Sequence, residues 1–456
     1  MDNKIFTSGN TKATLLRFAI PSIISLLVIE LYCMVDTVFV GRYVGTEAIA
    51  ALTLAFPVQR LLSALPLLVG VGATTLVAKH LGEKNIGELK ITIRNSIFLT
   101  AIILLITMSF LFIFKDRIIY FLGASSATFD YADKYISIIM LGGLFQGLSI
   151  TMCSIMTALG DTKITLYSNS IGAIINIFIN YLLIVVLSRG IEGAAIATTL
   201  SQVVAFCYTL NKFLKLRKYY SLEGIKSKSS ISIGIIGTIL TIGFSTFVIE
   251  ISDAVVSIIL NNLLLSRGGD AAIVMVGVIT KISMFMFIAI IGISSAMQPI
   301  VAYNYGAGNY DEMKKTLKLS LKVVSFISVI FWAILVLFSN NIIGFFLEDK
   351  ALLAETVRAF RISISLLPAV GIYYIAIHFY QSIGDARSSF LLSVYRQLVV
   401  FIPVVLILVN YLGVNGAWLS YPISDGISAI TSVFFLYKLW KFDFSEEMES
   451  KGLQNA

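Results

Sequence analysis

The sequence predicts an all-α polytopic membrane protein, with twelve transmembrane helices in two six-helix repeats, an N-lobe and a C-lobe, around a central cavity. Three observations carry this reading. Hydrophobic residues make up 57% of the chain and charged residues 13%, against about 45–50% and about 25% in soluble proteins. Apolar stretches long enough to cross a bilayer recur along the whole chain, and its two halves repeat each other at a fixed spacing. The 456 residues allow about 38 per span, enough for a helix of roughly 20 apolar residues and a connection.

The first stretch, 13 to 40, follows lysines as a secretory leader would, but it continues through Glu30 and Asp36 without a small-residue cleavage pattern. It reads as a retained helix. The next five fall at 47 to 79, 92 to 114, 130 to 158, 163 to 187 and 191 to 213. In the fourth, Gly143 and Gly147 are spaced for close helix packing. The second six fall at 231 to 264, 271 to 302, 316 to 338, 354 to 382, 386 to 410 and 414 to 440. Several exceed the bilayer thickness and should tilt or extend beyond it. The polar stretch 214 to 230 separates six spans from six, so the domains expected are an N-lobe over 1–213, a linker over 214–230, a C-lobe over 231–440 and a tail over 441–456.

The repeat is visible in paired residues. Gly45 and Gly269, Gly82 and Gly306, Asn85 and Asn309, Gly160 and Gly384, and Asp161 and Asp385 are each 224 apart, and Gly190 with Gly413 and Gly193 with Gly416 continue the series at 223. LGEKN at 81–85 thus matches YGAGN at 305–309, and ALGDTK at 158–163 matches SIGDAR at 382–387. Each copy has an even number of spans, so both insert in the same orientation and are related by an axis along the membrane normal. That architecture favours a transporter.

Lysine and arginine set the orientation. With the N-terminus cytoplasmic, 22 fall on the inner side, nine on the outer side and three (Arg60, Lys281, Arg396) within spans, so both termini are expected in the cytoplasm of a multi-pass cell-membrane protein. The net charge of +8 does not imply nucleic acid, because the basic residues lie in short loops rather than on one solvated face. Cys33, Cys153 and Cys207 lie in apolar segments without paired spacing and read as packing residues. With two histidines, no HExxH, no GxSxG and no GxxxxGK[ST], neither a membrane enzyme nor an ATP-driven pump is expected.

Ionisable groups within spans are costly and point to function. Asp36 lies fifteen residues after Pro21 in the first helix, where a proline permits a bend. A carboxylate on a bendable helix can couple ion occupancy to shape; the plainer alternative places Asp36 near the outer interface, solvated, since Gly41 and Arg42 follow. Asn176 and Asn180 share one face of the fifth helix, and Thr198 adds a hydroxyl from the sixth. These oxygens suit Na+, or a hydrogen-bond shell around a carboxylate that takes up H+; ordinary interhelical hydrogen bonding is the alternative. Glu250 and Asp253 lie i, i+3 on the seventh helix. They could attract an organic cation or share a proton, or pair with Lys281 or Arg396 and hold the lobe together. His378 could relay protons or be a satisfied hydrogen-bonding residue. Glu30, Tyr32, Phe56, Tyr373 and Tyr374 complete the candidate substrate cavity, aromatic faces being suited to organic cations.

The stretch Pro21 to Gly45, PSIISLLVIELYCMVDTVFVGRYVG, followed by AALTLAFP, together with QPIVAYNYGAGN at 298–309, resembles the multidrug and toxic compound extrusion (MATE) family, nearest its bacterial exporters of the MepA-like type. The resemblance runs from about Ala13 to Trp440. It implies twelve helices in two lobes and efflux of drug-like, often cationic molecules in exchange for protons or sodium. It also implies that Asp36 matches the aspartate of the first lobe's cation site. Asn180 departs from the aspartate common at its position, and Arg396, in YRQLVVFIP, resembles a residue of the same subgroup. A flippase of lipid-linked sugars on a similar fold is the alternative. Such cavities tend to carry arginines, whereas here Glu30, Asp36, Glu250, Asp253 and Asp425 outnumber the three basic residues. The function expected is a cation-coupled antiporter for small organic cations. It would work as a monomer in the lipid bilayer, with no cofactor beyond bound Na+ or H+ and no nucleic-acid partner.

Overall fold

A computed structural model describes residue 6 and residues 10–124, 128–219, 231–347 and 349–440. Most of the expected linker and all of the expected tail therefore lie outside the described residues. Those described form helices and no strands, as a bilayer requires of a chain whose backbone groups must be satisfied within each span.

The first half comprises α1 (Thr11–Tyr43), α2 (Thr46–Gly82), α3 (Ile86–Ile113), α4 (Phe129–Ala158), α5 (Ile164–Val186) and α6 (Gly190–Tyr219). The second comprises α7 (Ile233–Gly269), α8 (Ala271–Gly306), α9 (Tyr310–Leu337), α10 (Lys350–Ser363 with Leu367–Ser382), α11 (Ala386–Leu412) and α12 (Val414–Trp440). Eleven of these are long and apolar enough to cross a membrane as single helices. The twelfth, α10, reads in the sequence as one apolar stretch from 354 to 382, but it is broken by a 44° bend between its two pieces. Pro368 opens the second piece, where a missing N–H costs nothing at a helix start but would break a continuous helix.

The repeat extends below the spans. A short helix follows α3 at Lys115–Phe121 and another follows α9 at Ser339–Gly344. Gly45, Gly160 and Gly190 have positive φ, and so do their counterparts Gly269, Gly384 and Gly413. The left-handed backbone at these turns favours glycine, so the residues that reveal the duplication are those the turns require. Asn85 caps α3 by accepting from the Glu88 N–H, and Asp385 caps α11 by accepting from the Ser388 N–H.

The helices form two compact units. One contains residues 20–247, and the other contains residues 6–19 with 248–440 of the described chain. Both α1 and α7 therefore divide their length between the two. In the first unit, α2, α4 and α6 enclose a core of Ala48, Ala51, Ala55, Leu62, Ile139, Met140 and Ala194. In the second, Phe6 stacks on Tyr303 with ring centroids 4.5 Å apart, and the Thr11 hydroxyl bonds the Glu312 carboxylate.

The start of α7 packs on α2 through Leu68, Val69, Ile239 and Ile242, and the contact is close because each helix presents a glycine to the other's backbone. A Cβ at Gly72 would sit 2.1 Å from the Ile239 carbonyl oxygen, and one at Gly243 would sit 1.7 Å from that of Leu68. Small residues allow such approaches, and dispersion then stabilises the crossing in lipid. Gly243→Leu should accordingly cost at least about 1–3 kcal/mol. Thermal unfolding in detergent should show a lower midpoint, with an unchanged midpoint contradicting the close contact.

Candidate functional site

In the first unit, a chain of polar side chains runs between helices otherwise built of apolar residues. Asp36 of α1 is buried at 8% exposure, and Asn176 and Asn180 of α5 are fully buried. Asn180 Nδ2 donates to Asp36 Oδ1 at 2.8 Å and to Asn176 Oδ1 at 3.0 Å, and Asn176 Nδ2 donates to Thr198 Oγ1 at 3.4 Å. The structure thus brings together the four residues grouped from sequence. It also places Asp36 inside the bundle rather than in a solvated position.

The chain continues through two residues that sequence reading missed. Thr198 lies beside Tyr135 of α4, and the Tyr135 hydroxyl accepts from Gln59 Nε2 of α2 at 3.2 Å. Five helices, α1, α2, α4, α5 and α6, therefore bring polar side chains to one place. Gln59 carried a usable signal, being an amide within an apolar stretch. Tyr135 carried none, because tyrosines are frequent along this chain.

One buried atom of the network lacks a partner among the described residues, namely Asn180 Oδ1. Such an atom costs about 1–3 kcal/mol unless something donates to it or coordinates it. Directly after Asn180, the helix opens into a π-helical stretch, Tyr181–Val186, a distortion often found at functional sites.

The second unit carries a related arrangement with different charges. Gln397 Nε2 of α11 donates to Asp253 Oδ1 of α7. The two residues are 144 apart, as are Asp36 and Asn180, and Ser25 and Asn169, whose side chains also bond at 2.7 Å. Acid on the first helix and amide on the fifth is thus a motif of both halves; Asn180 immediately precedes its π-helical stretch, whereas Gln397 lies inside one, Tyr395–Phe401.

Arg396, beside Gln397, turns instead to α12. Its Nε and Nη2 donate to Asp425 Oδ1 at 3.1 and 2.9 Å. The sequence alternatives gave Arg396 to Glu250 or Asp253; its ion pair is with Asp425, a buried carboxylate, whereas Asp253 is exposed and Glu250 half-buried. Its carbonyl, freed by the π stretch, accepts from Ser424 Oγ at 2.9 Å. The guanidinium also lies over the rings of Phe287 and Tyr373, 5.8 and 5.7 Å from their centroids. Asp425 Oδ2 and Gln397 Oε1 are buried without partners among the described residues.

The remaining sequence candidates are scattered. His378 Nδ1 donates to the Tyr374 carbonyl one turn back along its own helix, at 2.9 Å. Tyr374 packs edge-on against Phe287 and Tyr373, which places both tyrosines at the Arg396 cluster. Glu250 and Tyr32 are half-buried, Glu30 likewise, and Asp253, Lys281 and Phe56 are exposed. The Arg60 guanidinium lies over the Phe56 ring at 5.4 Å. Pro21 sits inside an unbroken α1, next to the point where that helix passes from one unit to the other.

The MatE family model matches residues 21–182 and 242–407, most of the chain and both halves of it. The chain belongs to the MATE family. As a member of that family of transporters it is not an enzyme. It is 25% identical over 429 residues to the multidrug export protein MepA of Staphylococcus aureus (strain NCTC 8325 / PS 47), a span covering 93% of each chain. Among solved structures, a MATE protein crystallised in complex with MaL6 shares the fold with a TM-score of 0.89 at 23% identity, each chain covered in full. An outward-facing multidrug resistance MATE family transporter gives a TM-score of 0.87 at 22% identity, covering 100% of this chain and 99% of the other. The MATE fold of two lobes and twelve helices is thus the fold of this multi-pass membrane protein.

Proposed function

We propose that this protein is an antiporter that exports drug-like organic cations by alternating access, driven by entry of a proton or a sodium ion, with Asp36 as the coupling carboxylate. The observation that carries this reading is the unpartnered Asn180 Oδ1 beside the Asp36 carboxylate. A proton on Asp36 supplies a hydroxyl that donates to that oxygen. A sodium ion supplies a hard cation that both oxygens, with Thr198 Oγ1, suit chemically. Either occupant neutralises the Asp36 charge and satisfies the orphan acceptor together, so occupied and empty forms differ in the polar bonds that tie α1 to α5. That is the differential interaction a coupled ion needs, since a ligand bound equally in two conformations shifts neither.

The family and the MepA likeness support multidrug cargo, and the acidic excess in the spans supports cationic cargo. The lipid-linked sugar alternative needs free arginines for anionic head groups, whereas Arg396 is already neutralised by Asp425. Two six-helix halves joined by a cytoplasmic linker, both termini in the cytoplasm and a working monomer complete the proposal.

The test is efflux of a cationic dye from whole cells with the proton and sodium gradients collapsed separately. Efflux should stop with one collapse and persist with the other. Efflux that survives loss of both gradients would remove the antiport mechanism.

A further inference from the structure

The Arg396 cluster has the chemistry of a site for an organic cation, yet a cation of the protein's own occupies it. Aromatic faces and carboxylates are what recognise such ligands. Here Phe287 and Tyr373 flank the guanidinium, Asp425 accepts two of its N–H groups, and Tyr374 packs edge-on against both rings. Tyr421 packs tilted against Phe401, with ring centroids 4.9 Å apart, and lies within electrostatic reach of Arg396, Asp425 and Asp253.

The occupancy is incomplete in a telling way. Arg396 presents five donors in a rigid fork that suits a carboxylate bidentately, but both of its bonds go to a single oxygen of Asp425. Asp425 Oδ2 stays buried without a partner on a residue only 1% exposed, and Gln397 Oε1, on a residue 5% exposed, does the same one step along the chain. The site thus keeps acceptors for a second positive group, and Asp253 adds a carboxylate held by Gln397 at its exposed side. Arg396 and Gln397 lie in a π-helical stretch, a distortion often found at functional sites.

We infer that Arg396 is an internal competitor for this site, a tethered cation that fills the aromatic and acidic pocket of the second unit until an organic cation displaces it. The inference rests on the reading that the cargo is cationic. It assigns Arg396 to cation selectivity, since neutral compounds gain nothing from displacing a guanidinium from two rings and a carboxylate. A dication profits more than a monocation, because Oδ2 of Asp425 and the Asp253 carboxylate can each receive a charge.

The test is equilibrium binding of tetraphenylphosphonium to the full-length protein in detergent, with a neutral lipophilic dye as the control ligand. Arg396→Gln removes the competitor and leaves the pocket, so it should tighten tetraphenylphosphonium binding by about tenfold, the value of one desolvated cation–ring contact, with the neutral dye unchanged. Phe287→Leu keeps the volume and removes one ring face; it should weaken tetraphenylphosphonium binding severalfold and again leave the neutral dye unchanged. If Arg396→Gln does not yield folded protein, Arg396→Met takes its place, since it too removes the charge and should tighten tetraphenylphosphonium binding by about tenfold. Unchanged tetraphenylphosphonium affinity in the folded variants, with the wild type binding it, overturns the competitor role but leaves cationic export standing. No binding by the wild type or by either variant overturns both.

Discussion

Asp36→Asn should reduce gradient-driven efflux of a cationic dye to the rate seen without a gradient, in a protein that still folds and inserts. The amide occupies the same space as the carboxylate, and its oxygen can still accept from Asn180 Nδ2, so the bond now measured at 2.8 Å survives. What disappears is the charge and the ability to take up a proton. The buried oxygen of Asn180 would then be satisfied by the new amide N–H in every conformation alike. An occupancy that is the same in all states has no differential affinity and cannot drive an exchange, whereas driving one state from a minority to a majority needs a preference of several kcal/mol. Dye binding without transport should remain, because cargo recognition is assigned elsewhere. Transport assays in vesicles with an imposed gradient check this; efflux at the wild-type rate would move coupling away from Asp36 altogether, to Glu250, Asp253 or His378.

Asp425→Leu should be the more damaging of two single substitutions at the buried ion pair, and the double variant should recover most of the loss. Arg396 cannot shed its proton, so without Asp425 a permanent charge remains in a site where its side chain is 10% exposed. Breaking a buried pair from one side costs about 3–5 kcal/mol. Arg396→Leu leaves an aspartate that can neutralise itself by taking a proton, so it should cost less. Replacing both removes charge and partner together, and such exchanges for apolar residues are often neutral. Unfolding midpoints of the two single variants and the double provide the cycle, and additive losses would show that the pair is not coupled.

Much of the architecture was legible because it depends on quantities a sequence carries directly. Glycines at positive φ cannot be exchanged freely, so Gly45 and Gly269, or Gly190 and Gly413, still mark equivalent turns. Apolar length alone delimits spans in a bilayer. The break in α10 was missed because hydropathy does not sense a bend, and Pro368 at a helix start looks like any other proline in an apolar run.

At the candidate sites, spacing within one helix worked and partnering between helices did not. Asn176 and Asn180 could be put on one face because i, i+4 is a local relation. Arg396 and Asp425 lie 29 residues apart on separate helices, and in a segment apolar on every side no periodicity says which face meets which neighbour. The π-helical stretches add to this, since inserting a residue into the ladder rotates everything after it relative to the pattern a regular helix would give.

The two polar rungs between α1 and α5 have a mechanical consequence. Ser25 with Asn169 and Asp36 with Asn180 are separated by the same eleven residues on both helices, roughly 16 Å of rise. Two fixings that far apart on parallel rods forbid sliding by a turn, because either rung alone would hold the register, and they stiffen the length of α1 between them. Compliance is left to the part before Ser25, where Pro21 has already taken one hydrogen bond out of the helix. The residues preceding it, 6–19, belong to the second unit. The stretch from Ser25 to Asp36 is thus the stiffened part of α1, and Asp36 stands at its end.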